Sequence, residues 1–76
     1  MKEKLAALAA DGWRYEGPAV EPDGERWRGV LVFAKPGDDR RRYVKCPQSY
    51  RLEDLAWEWC AQWSLRVVEV DAGVPR

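Results

Sequence analysis

Apolar residues at Met1, Leu5, Leu8 and Ala9 recur at helical spacing, with Lys2 to Lys4 and Ala7 elsewhere on the wheel. This predicts a short first helix, ended at Asp11-Gly12, where glycine suits the left-handed position after a helix. Trp13-Arg14-Tyr15-Glu16 then alternates apolar and charged, the mark of a half-buried strand. Pro18 and Glu21-Pro22-Asp23-Gly24 read as a turn, since proline presets φ while Asp and Gly accommodate the chain reversal. Arg26 to Lys35 reads as a longer strand whose centre, Val30 to Ala34, is apolar on both faces, as in a central strand. After a turn at Pro36-Gly37-Asp38-Asp39, Arg40 to Cys46 forms a third strand that Pro47 stops.

Leu52, Leu55, Ala56, Trp59, Cys60 and Trp63 follow i, i+3, i+4, i+7, i+8, i+11 and predict a second helix buried along that stripe. Ser49 is its expected N-cap, and Glu53 and Asp54 suit the positive end of the helix dipole. Ser64 to Val70 reads as a final strand. The expected fold class is α+β: a single small domain of order α-β-β-β-α-β, an antiparallel three-stranded meander plus a fourth strand, with both helices packed on one face. It spans residues 1–76, with an ordered core over about 3–70 and a tail over 71–76.

Register follows from the second turn. If Lys35 pairs with Arg40, Leu31 faces Val44 and Gly29 faces Cys46. The core face then carries Trp27, Gly29, Leu31, Phe33, Val44 and Cys46. Trp13 and Tyr15 join it if the first hairpin is bulged or has an odd-length loop, with Tyr15 lying over Gly29. The opposite face carries Arg14, Glu16, Arg28, Val30, Val32, Ala34, Arg41, Tyr43 and Lys45. With both helices on the other side, this face is an open aliphatic strip with a basic rim. Such strips mark contact sites, although arginine stems lying over the valines would make it an ordinary half-wet surface.

Composition narrows the chemistry. The chain has 76 residues, a formal net charge of zero and five tryptophans, large side chains that can stabilise a small core. Histidine is absent, and Cys46 and Cys60 stand alone, so a zinc site or a His-dependent triad lacks its residues. Both cysteines are expected as buried free thiols, the alternative being a Cys46–Cys60 bridge, which requires their Cα atoms within about 7 Å. The acid pairs Asp38-Asp39, Glu53-Asp54 and Glu21/Asp23 fall in turns or at a helix start, where acids have structural reasons to be. No glycine-rich phosphate loop is present. No catalytic residue, metal or cofactor is therefore expected. Charged residues at the N-terminus do not suit a signal peptide, no run approaches the roughly 20 apolar residues of a membrane span, and the expected compartment is the cytoplasm. Thr, Asn and Ile are also absent while Ala, Arg, Gly, Pro, Val and Trp abound, a bias that GC-rich codons produce and that suggests a bacterium or its phage.

Arg40-Arg41-Arg42 with Lys45 and Arg51 is the strongest charge feature, though strand alternation keeps the three arginines from sharing one face. Trp57 lies off the buried stripe of the second helix and is expected to be exposed. The order α-β-β-β-α within the chain is similar to that of double-stranded-RNA-binding domains. Those domains present lysines where this chain has Arg51-Leu52-Glu53-Asp54, and chain order alone is a poor guide to function.

The leading expectation is a non-catalytic protein-binding module that acts by steric occlusion, as small phage-encoded inhibitors of host defence such as anti-CRISPR proteins do. Its expected contacts are Trp57, Tyr43, Arg41, Arg28, Lys45 and Arg42. One alternative is a nucleic-acid-binding domain using the basic and aromatic sheet face; another is a homodimeric or structural assembly subunit.

Overall fold

The computed structural model describes residues 1–73, with side chains described through Val67. It has two helices and one three-stranded antiparallel sheet: α1 (Lys2–Ala10), β1 (Arg14–Asp23), β2 (Arg26–Ala34), β3 (Arg41–Lys45) and α2 (Glu53–Gly73). The sheet order is β1-β2-β3, a meander. α2 packs on β1 and β2, and α1 packs against α2. One buried cluster joins Leu5 of α1, Trp13, Leu31, Phe33, Val44 and Cys46 of the sheet layer, and Trp59, Cys60 and Val67 of α2.

The expected fourth strand is helix. Ser64 to Val70 continues α2, and so do residues 71 to 73 of the expected tail; residues 74–76 of that tail lie outside the described residues. The reason is tertiary. No glycine or proline interrupts the chain between Trp63 and Val70, and Val67, four residues after Trp63, extends the buried stripe by one turn and is 4% exposed. Ser64 in turn meets the Tyr15 hydroxyl of β1. The helix-propensity cost of valine, a few tenths of a kcal/mol, is small beside that burial.

The start of α2 also differs from expectation. The helix begins at Glu53, so Ser49 is no N-cap; its Oγ accepts from Arg26 Nε at 3.0 Å and its carbonyl from Arg26 Nη2 at 2.8 Å. Tyr50 forms an isolated bridge to Trp27 that extends the β2 pairing past β3. Leu52 precedes the helix and is 63% exposed, and Leu55 on the stripe's flank is also exposed, so neither is core. The buried stripe consists of Ala56, Trp59, Cys60 and Val67, with Trp63 half-buried.

β1 is longer than its alternating segment. It runs through Pro18 and Pro22 to Asp23, and only Gly24 and Glu25 separate it from β2. Gly24 adopts φ 64, as the first central residue of a type II′ hairpin turn does. The second register is the expected one: Leu31 pairs with Val44, and the Cys46 N–H donates to the Gly29 carbonyl at 2.8 Å. In the first hairpin a bulge between Tyr15 and Gly17 brings Tyr15 opposite Phe33, with ring centroids 5.5 Å apart, and not over Gly29. The space above Gly29 is filled by α2 instead. A Cβ there would lie 2.5 Å from Trp59 Cε3, 3.0 Å from Cys60 Sγ and 3.1 Å from the Ala56 carbonyl oxygen.

Candidate interaction surface on the sheet

The sheet face opposite the buried cluster is built by strand alternation. Val30, Val32, Tyr43 and Lys45 lie on it, and the extended β1 adds Ala19 and Glu21. Together these six line a shallow depression of about 160 Å³ without any helical residue. Its floor is aliphatic, and Tyr43 stands beside it, 55% exposed.

Two ion pairs cross the face from β3 to β1. Lys45 Nζ lies 2.9 Å from Glu21 Oε1, and Arg41 Nε contacts Glu16 Oε1. Each spans the central strand, so the alkyl stems shield what lies beneath. Val30, paired in register with Lys45, is only 4% exposed although it lies outside the core cluster. Val32 stays half-buried, and Val32 with Tyr43 is the accessible apolar part.

The six residues singled out from the sequence separate in space. Tyr43, Arg41 and Lys45 share the open face. Arg28 is held at its end: Nη2 lies 2.8 Å from Asp23 Oδ2, and Nη1 donates to the Cys46 carbonyl. Arg42 lies on the other side of β3, its guanidinium 5.1 Å from the Trp13 ring centroid. Arg40, paired with Asp38 at 3.8 Å, is almost fully exposed. Trp57 is exposed on α2, where its Nε1 donates to Glu53 Oε2 at 3.1 Å; it belongs to a different surface from Tyr43.

Ala19 and Glu21 were not identified from the sequence as part of this face because Pro18 reads as a turn residue. The alternation of Ala19, Val20 and Glu21 was a usable signal, since proline is admissible in an edge strand.

Cys46 and Cys60 are free and buried. Burial pushes the Cys60 thiol above its ordinary range, and its Sγ faces the carbonyls of Ala19 and Val30 at 3.5 and 3.8 Å. A buried thiol held protonated is a poor nucleophile. Among the described residues, no group of three or more His, Cys, Asp or Glu is placed to hold a metal ion, and no helix is long and apolar enough to cross a membrane.

Over the described residues the architecture is small α+β, with one sheet and two helices. Compared with known proteins, the chain matches no family model, no curated protein and no solved structure.

Proposed function

We propose that the protein is a non-catalytic protein-binding module whose contact surface is the open sheet face centred on Val32 and Tyr43. In this reading both helices serve the covered face, and the other face is free for a partner. The carrying observation is the depression lined by strand residues alone, with an aliphatic floor, an exposed tyrosine and a rim of paired charges. Apolar strips with polar rims are the usual make-up of protein contact sites, and tyrosine is a favoured anchor there. A module of this size acts by occupying a partner's surface, in the manner of phage-encoded inhibitors of host defence such as anti-CRISPR proteins.

The charge arrangement favours protein over nucleic acid. Arg28, Arg41 and Lys45 are each engaged by a carboxylate, and the chain is neutral overall. A phosphate backbone would have to displace Asp23, Glu16 and Glu21. The acidic first turn of α2, Glu53 and Asp54, opposes phosphate at the helix N-terminus as well.

The test is affinity capture from a bacterial lysate with wild type, Tyr43→Ala, Val32→Asp and Trp57→Ala. A protein lost with the first two variants and kept with the third supports the open face. The same proteins recovered with all four baits sink it. A gel shift at low salt decides the nucleic-acid alternative, which requires retardation that fades steeply as salt rises.

A further inference from the structure

We infer that the free edge of β3 accepts an extended acidic segment of a partner protein as an added strand; this rests on the protein-binding reading and names the kind of partner segment. The argument begins with which way the backbone groups point. Trp27 exchanges both backbone hydrogen bonds with Tyr50, at 2.6 and 2.7 Å, and Gly29 receives one from Cys46. In an antiparallel ladder, alternate residues bond to the same side. Trp27, Gly29, Leu31 and Phe33 therefore bond toward β3, and Arg28, Val30, Val32 and Ala34 toward β1. Carried through the register, Val44 and Arg42 bond inward to Leu31 and Phe33. Arg41, Tyr43 and Lys45 direct their N–H and C=O groups outward, and no further strand pairs with β3 among the described residues.

The opposite edge is blunted. On β1 the outward positions paired with Leu31, Gly29 and Trp27 are Pro18, Val20 and Pro22. Two of these three have no N–H to offer, and the bulge at Tyr15/Gly17 twists the strand further. The sheet thus has one edge that cannot template a strand and one that keeps its donors.

Charge selects the occupant. Four of the six residues from Arg40 to Lys45 are cationic. A second copy pairing antiparallel about Tyr43 would set Arg41 against Lys45, like charges directly opposite, which is unfavourable. An acidic strand finds the reverse at Arg40 and Arg42, the first almost fully exposed and the second held over the Trp13 ring. Arg41 and Lys45 contribute less, because Glu16 and Glu21 engage their head groups and draw them toward β1, away from the free edge. Side chains of the added strand would then lie beside Tyr43, joining edge pairing to the open face.

The probe is a fluorescein-labelled nonapeptide alternating Glu and Val, titrated with the full chain by anisotropy at low salt, beside a Lys–Val counterpart. Saturable binding of the acidic peptide, at least about tenfold tighter than the basic one, is expected. Equal affinity for the two peptides, or no saturable binding, overturns the proposal. Tyr43→Pro deletes the central outward N–H without removing a bond to β2, whereas Tyr43→Ala keeps it. Both lose the phenol, so an affinity at least about tenfold lower for Tyr43→Pro than for Tyr43→Ala reports edge pairing. Equal affinities overturn it and leave the open-face reading to the capture experiment. Amide exchange in the wild-type chain settles the matter should Tyr43→Pro fail to fold. Peptide should slow exchange at Arg41, Tyr43 and Lys45 by at least about tenfold; unchanged exchange overturns the proposal.

Discussion

Gly29→Ala tests the seat of α2 on the sheet. The added methyl would sit 2.5 Å from Trp59 Cε3, where carbon atoms prefer roughly 3.5–4.0 Å, so at least about 1 Å must be found. Trp59 is buried and packs on Trp63, with centroids 6.4 Å apart, so its ring cannot easily swing aside. The Ala56 carbonyl at 3.1 Å is helix backbone, so further relief means moving α2 itself. Overpacking of this kind costs about 1–3 kcal/mol, and the contact with backbone argues for the upper end. Replacing a strand glycine recovers about 0.5–1 kcal/mol of chain entropy. The net loss is about 2 kcal/mol. For a domain of this size that lowers Tm by roughly 8–16 °C. Total stability at roughly 0.05–0.15 kcal/mol per residue leaves the variant folded at room temperature. The assay is urea and thermal unfolding by tryptophan fluorescence. Trp59→Leu supplies the control: it removes the 2.5 Å contact and leaves those to Cys60 and Ala56, so Gly29→Ala should cost about 1 kcal/mol less in that background than in the wild type, a departure from additivity of that size. A Gly29→Ala protein within about 2 °C of wild type would refute the close approach, and a full loss persisting in the Trp59→Leu background would refute its cause.

Three further outcomes are expected. Leu65→Glu should change stability by less than about 0.5 kcal/mol, because Leu65 is 70% exposed, whereas Val67→Glu should cost more than about 3 kcal/mol. In a strand those two residues would share a face, so equal losses in urea unfolding would count against helix at this position. Burial holds Cys60 above its ordinary 9.0 and Tyr15 above its ordinary 10.0, so the unfolded chain releases these protons first as pH rises. Stability is therefore full below about pH 9 and falls above it, first through Cys60 and then Tyr15; a urea midpoint that climbs through pH 10 contradicts the burial of both. Both thiols should react with Ellman's reagent slowly in the native protein and at once in denaturant; fast native reaction of either would show that it is not buried.

Helices and strands with local signals were legible from the chain itself. Alternation marks Trp13 to Glu16, the doubly apolar run Val30 to Ala34 marks a central strand, and the stripe Ala56, Trp59, Cys60, Trp63 marks α2. The β2–β3 register also followed, because a tight loop fixes pairing once its ends are known. Of the surface, the neighbourhood of Val32, Tyr43, Arg41 and Lys45 was readable, since alternation alone puts these residues on one face.

Long-range packing decided the rest. Ser64 to Val70 is valine-rich and reads as strand, but Val67 reaches the core as helix and Tyr15 meets Ser64 across the fold. Pro18 and Pro22 look like turn residues until β1 is known to be an edge, where a missing N–H faces outward and costs nothing. Arg28 and Ser49 looked available for binding and capping, and both are occupied, Arg28 by the Cys46 carbonyl as well as nearby Asp23, and Ser49 by Arg26. Sequence by itself determined which residues could share a face, because that depends on the period of the backbone. Only the tertiary structure decided which groups were left free, because that depends on partners brought together from far along the chain.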